Sequence, residues 1–154
     1  MIEKYVRLAT ENDLNDLVEM AKLFYTTSPY QTLTFDPEHN HEFFRSIIRG
    51  RLSEGVVLVG LKDREVIGFL AGIASKPPFS SQRVAVELGW FVKKEHRKTR
   101  TSLLLYSAYE DWARRVGCSC VQTAYLPTTE NNLDEFYKKH SYTQVESSYL
   151  KVLN

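Results

Sequence analysis

Apolar positions recur at two spacings along this chain. Leu14, Leu17, Val18, Ala21 and Phe24 fall three or four apart, the period of one helical face. Thr10, with Asp13 three positions on, has the spacing of a capping box in front of that helix. Ser28-Pro29 ends it. Phe43, Phe44, Ile47, Ile48 and Leu52 form a second stripe, with Asp36 as N-cap, Pro37 in the first helical position and Gly55 at the exit. Leu105, Ala108, Tyr109, Trp112 and Val116 form a third, closed by Gly117. Asn131–Lys139 predicts a short fourth helix.

Between the helices the pattern changes to runs of β-formers. Strands are expected at Tyr5–Leu8, Val56–Leu61, Val66–Ala74, Val84–Val92, Cys118–Tyr125, Tyr142–Gln144 and Ser148–Leu153. Lys62-Asp63-Arg64-Glu65 reads as a tight polar turn, and Lys76–Ser81, with Pro77 and Pro78, as a loop. Gly89 inside its strand marks a bulge or a close backbone approach. Gly68 and Gly72 are expected to let another element pack closely on the sheet. The order is β-α-α-β-β-β-α-β-α-β-β. It predicts an α+β fold, with a mixed, mostly antiparallel sheet of about seven strands and four helices on its two faces. Val84–Tyr125 supplies one parallel crossover.

Composition narrows the class. The chain has 154 residues, 43% apolar and 25% charged, which suits a single domain over 1–154. Lysine and arginine total 20 against 19 acidic residues, a net charge of +1, so no global charge favours nucleic acid. No apolar run approaches the roughly 18 residues of a membrane span. The charged start, Met1–Arg7, is unlike a secretory signal. The only cysteines are Cys118 and Cys120, expected as small buried residues in a reducing cytoplasm. His39 and His41, two apart on a helix, diverge and do not form a metal pair, so no metal is expected.

The chemistry concentrates in one basic turn. Lys93, Lys94, Arg97, Lys98 and Arg100 surround a single acid, Glu95, between the end of a strand and the start of a helix. Helix N-termini carry unpaired N–H groups and partial positive charge, so a phosphate placed there is bound directly.

Glu87–Val92, then Arg97-Lys98-Thr99-Arg100-Thr101-Ser102 and an amphipathic helix, resemble the acetyl-CoA-binding core of the GNAT N-acetyltransferases. Phe136-Tyr137-Lys138-Lys139-His140-Ser141-Tyr142 is similar to a second family segment, and the element order is similar throughout. In that family a Gln/Arg-x-x-Gly-x-Gly/Ala loop wraps the pyrophosphate. Arg97 matches its first position, while Arg100 and Ser102 stand at the small-residue positions and Ser141 replaces a glycine.

The resemblance implies an acetyl-CoA-dependent N-acetyltransferase in which a primary amine, on a small molecule or protein, attacks directly in a ternary complex. It implies Arg97, Lys98, Thr99, Arg100, Thr101 and Ser102 as the cofactor loop, with backbone near Phe91 and Val92 as the oxyanion donor. It implies Tyr137 as general acid to the leaving thiolate and Glu87 as a candidate base. Tyr25, Tyr30, Phe35 and Phe79 are expected to line the acceptor pocket. A homodimer is compatible with this fold. Two other readings share these residues. One is a GNAT-like binding or regulatory module impaired in catalysis, favoured by Arg100 and Ser141. The other is a small nucleic-acid-binding protein using the basic turn 93–100.

Overall fold

The computed structural model describes residues 5–126 and 133–153. Five strands, β1 (Val6–Leu8), β2 (Gly55–Lys62), β3 (Glu65–Ser75), β4 (Arg83–Val92) and β5 (Cys118–Gln122), form one sheet in the order β1-β2-β3-β4-β5. All neighbours are antiparallel except β4 and β5, which run parallel. The helices are α1 (Leu14–Thr27), α2 (Pro37–Arg49), α3 (Arg100–Arg115) and α4 (Leu133–Lys139).

Alternation along the central strands assigns the layers. Val57, Val59, Phe69 and Phe91 bury one face of the sheet under Leu17, Met20 and Phe44 of α1 and α2. Their chain neighbours Val56, Leu58, Leu70 and Val92 bury the other face under Leu105, Tyr109 and Trp112 of α3. Both faces are covered, so β2 is an unbroken apolar run with every residue from Gly55 to Leu61 buried. Each fully buried large side chain contributes roughly 1.5–3 kcal/mol. Trp112 Nε1 also donates to the Leu52 carbonyl at 2.7 Å, tying α3 to the segment before β2.

Two glycines set the depth of α3. A Cβ at Gly60 would lie 2.7 Å from Thr101 Cγ2, and one at Gly72 would lie 2.6 Å from the Tyr109 ring. The β2–β3 turn places Asp63 and Arg64 at φ of 49° and 71°, the left-handed pair of a two-residue hairpin. Asp36 caps α2 by accepting from the His39 N–H at 3.1 Å, with Pro37 in the first helical position. Thr10 caps a short 3₁₀ turn, Glu11–Asp13, before α1 begins. The Asp13 carboxylate takes the Thr10 N–H at 2.8 Å and both arms of Arg7 at 2.7 and 3.0 Å.

Three expectations need correction. The sheet has five strands among the described residues, not seven, because residues 142–153 form no strand. The strand expected over Cys118–Tyr125 stops at Gln122, where it parts from β4. Cys120 is exposed, since β5 is the edge of the sheet. Asn131 and the segment around Glu130 lie outside the described residues. No helix among the described residues is long and apolar enough to cross a membrane.

Candidate active site

The site begins with an interruption of the sheet. β4 pairs with β5 only from Arg83–Cys118 to Val86–Gln122, yet β4 continues to Val92. On its other edge, Ala71 pairs with Gly89 and Gly72 with Glu87, so Leu88 has no partner on β3. This is the bulge expected beside Gly89. A bulge bends its strand and raises local twist. Here it coincides with the point where the two strands separate, and among the described residues the backbone of β4 beyond Glu87 has no strand partner on the β5 side.

The gap is a cavity of about 1150 Å³. That exceeds the roughly 300–1,000 Å³ of ordinary small-molecule sites, which suits a long ligand or two ligands together. Glu87, Trp90, Phe91 and Val92 of β4 form one wall. Ala124, Tyr125 and Leu126, just past β5, face them with Phe136 of α4. Arg97, Lys98 and Ser102 close the end at the α3 junction, and Thr26, Thr27 and Tyr30 contribute from the end of α1. Trp90 Nε1 is buried with no hydrogen-bond partner. Its ring stacks on Tyr106 with centroids 5.7 Å apart.

The basic turn is ordered by its own bonds. Thr99 precedes α3 as N-cap and donates from Oγ1 to the His96 carbonyl at 2.6 Å. Arg97 Nε donates to the Val92 carbonyl at 2.8 Å, and its guanidinium lies 5.5 Å from the Phe91 ring centroid. Lys98 holds a left-handed φ of 65°. Arg100, Thr101 and Ser102 form the first helical turn, whose amides have no intrahelical acceptor.

These positions separate the loop residues. Arg97, Lys98 and Ser102 line the cavity; Thr99, Arg100 and Thr101 do not. Arg100 turns away, its guanidinium 5.6 Å from the Tyr5 ring centroid. Thr101 is buried and donates to the Leu61 carbonyl at 3.2 Å. Arg100 sits at a helical position, so the absence of glycine there costs no backbone strain. The left-handed residue of the turn is Lys98 instead. Ser141 holds a φ of 67° where the resemblance expects glycine, so the serine keeps the glycine-type backbone at the end of α4.

Glu87 and Tyr137 both approach the backbone of Ala124. The Tyr137 hydroxyl donates to the Ala124 carbonyl at 3.0 Å. The Ala124 backbone beside the Glu87 carboxyl favours its charged form, which offsets only part of the cost of burial. Glu87 as a whole residue is partly buried, but its carboxyl is enclosed deeply enough that desolvation pushes it up to about 8. Burial also raises Tyr137 well above the usual phenol range, as does the nearby Glu87 charge, so its hydroxyl stays protonated at neutral pH. Tyr137 is buried and does not itself line the cavity, whereas its neighbour Phe136 does.

Of the expected acceptor residues, Tyr30 lines this cavity and Phe35 a smaller one beside it. Tyr25 packs on Phe35 with ring centroids 5.4 Å apart and bonds the Leu33 carbonyl at 2.6 Å. Phe79 is 90% exposed and lines neither, so the Pro-rich loop does not wall the site. Two residues not singled out from the sequence are Ala124 and Asn40. Asn40 was detectable as a polar residue on the α2 stripe Asn40, Phe43, Phe44, Ile47. Ala124 carries no side-chain signal, since it takes part through its backbone.

The acetyltransferase (GNAT) family profile matches residues 14–142. The chain belongs to the GNAT acetyltransferase family. No curated protein sequence matches this GNAT chain. Among solved structures it is similar to the ribosomal-protein-alanine N-acetyltransferase from Brucella melitensis biovar Abortus 2308. That likeness has 15% identity, covers 96% of this chain and 97% of that one, and has a TM-score of 0.72. It is similar to AAC(6')-Iy in complex with the bisubstrate analogue CoA-S-monomethyl-acetylneamine, at 15% identity, 97% of each chain and a TM-score of 0.74. It is also similar to the aminoglycoside acetyltransferase meta-AAC0020 from an uncultured soil metagenomic sample, in complex with sisomicin. There the identity is 16%, the coverage 99% and 100%, and the TM-score 0.66. At these identities the likeness is one of fold.

Proposed function

We propose that the chain, acting as one domain over 1–154, transfers an acetyl group from acetyl-CoA to a primary amine by direct attack in a ternary complex. The observation that carries this reading is the opening between β4 and β5 directly beside the N-terminus of α3. An extended thioester arm can lie against the free edge of β4 while its phosphates reach Arg97, Lys98, the Ser102 hydroxyl and the first-turn amides. The free thiols of Cys118 and Cys120 accord with a reducing cytoplasm.

Acetyl-CoA supplies the acyl group and a thiolate leaving group. The remaining chemistry falls to the chain. Glu87, poised near neutral pH, takes the proton from the acceptor ammonium or from a water between them. Backbone N–H at Phe91 or Val92 stabilises the oxyanion. Arg97 fixes the end of β4 through the Val92 carbonyl and presents its charge to the phosphates. Tyr137 donates its proton toward the leaving sulfur, for which its hydroxyl must release the Ala124 carbonyl.

Thiol release from acetyl-CoA in the presence of a panel of amines tests the reading. Arg97→Ala is expected to raise the acetyl-CoA KM about tenfold, the worth of one charge-assisted contact. Arg100→Ala is expected to leave it unchanged, since that side chain lies over Tyr5. Failure of acetyl-CoA to bind at all would overturn the assignment.

A further inference from the structure

A second, smaller pocket of about 130 Å³ lies between α1, α2 and the β4 bulge. Its walls include Phe24, Phe35, Phe43, Leu88 and Gly89, with Asn40 as a polar member. Phe24 and Leu88 also line the large cavity, so the two spaces share a wall. Leu88 directly follows Glu87, and one strand residue advances roughly 3.3 Å. Glu87 itself, paired with Gly72, faces α3 on the other side of the sheet, so an acceptor amine lying in the large cavity would reach this pocket past the shared Phe24 and Leu88.

We infer that the acceptor is an amine bearing one six-membered ring with a hydrogen-bond donor on it, and that Asn40 reads that donor. The inference rests on the transferase reading and adds the acceptor class. Size supports one ring, because a dry apolar cavity of about 150 Å³ accepts benzene. The aromatic walls support a flat apolar group: the Phe44 ring meets Phe43 and Phe69 edge to face, at 5.2 and 5.3 Å.

The donor is called for by Asn40. Its Oδ1 is buried and accepts no hydrogen bond. A buried amide oxygen left without a donor is a destabilising arrangement that native proteins rarely keep, unless a ligand or water completes it. The pocket lining carries no charged side chain. A second ammonium, or the several hydroxyls of an aminosugar, would enter without partners.

The test measures thiol release by the full-length chain at saturating acetyl-CoA, with tyramine, phenethylamine, spermidine and kanamycin. Tyramine is expected to exceed phenethylamine in kcat/KM by about tenfold, one hydrogen bond to a buried group. Both should exceed spermidine and kanamycin. Asn40→Leu should erase the tyramine advantage while phenethylamine is still acetylated. Gly89→Ala, whose new Cβ would meet Phe69 at an ordinary 3.4 Å, should raise KM for both aromatic amines and leave the acetyl-CoA KM alone.

Equal use of tyramine and phenethylamine, or a preference for spermidine or kanamycin, overturns the inference and leaves the transferase reading intact. If no amine is acetylated, the transferase reading fails separately. Calorimetry of tyramine into the CoA-saturated chain then decides the pocket: binding lost in Asn40→Leu supports it, and no binding overturns it.

Discussion

The Tyr137 hydroxyl donates to the Ala124 carbonyl at 3.0 Å, just beyond the last residue of β5. Tyr137→Phe removes that bond and the proton it could supply. Turnover is expected to fall about 100-fold, the low end of a general acid's contribution, with the acetyl-CoA dissociation constant nearly unchanged. The lost bond should also cost about 1 kcal/mol of stability, read from urea unfolding. An unaltered kcat would confine Tyr137 to a structural part.

Glu87 carries a distinct pH signature. With its folded carboxyl pushed up to about 8 from the ordinary 4.5, the native state holds a proton that the unfolded chain releases. Stability therefore falls as pH rises from about 4.5 to 8 and levels off above. Glu87→Gln should flatten that decline, so the variant gains in Tm over the parent between pH 5 and pH 9. The alkaline rise of kcat/KM near pH 8 should disappear in the same variant. A decline in Tm that survives in Glu87→Gln would assign it to other groups.

Gly60→Ala reaches the site from below. Its Cβ would press on Thr101 Cγ2 at 2.7 Å and on Leu105 Cδ1 at 3.1 Å, in the first turns of α3. Overpacking of this kind costs about 1–3 kcal/mol. Because the displaced turn is the proposed phosphate seat, the acetyl-CoA KM should rise while kcat at saturation changes little. Thermal unfolding and initial-rate kinetics read the two effects separately.

Ser141→Gly should stabilise. A non-glycine residue in the left-handed region costs on the order of 1 kcal/mol, and Ser141 sits there at 67°. Ser141 N–H bonds the Lys138 carbonyl at 3.2 Å and Tyr142 N–H bonds Tyr137 at 3.0 Å, so glycine keeps the same turn. Denaturant midpoints with an unchanged slope would verify it; a loss of stability would contradict it.

Much of this was legible in residue spacing. Asp36 before Pro37 fixes the start of α2 through a local bond, and Leu105, Tyr109 and Trp112 fix the buried face of α3 through periodicity. The bulge was legible at Gly89. What escaped depended on neighbours that no spacing encodes. Cys118–Tyr125 has strand character throughout, but pairing ends where β4 bends away. Ser148–Leu153 has strand-like residues, yet it lies exposed and forms no strand. Arg100 stands at a small-residue position of the motif, yet the backbone puts the unusual torsion two residues earlier, at Lys98.

Ala124 has the Glu87 carboxyl beside its backbone and gives its carbonyl to the Tyr137 phenol. Proton acceptor and proton donor thus share one hinge pin. Any ligand that nudges this unit on entering the channel retunes both partners in the same motion, so mutations along 123–126 should alter the two titrations jointly rather than one at a time.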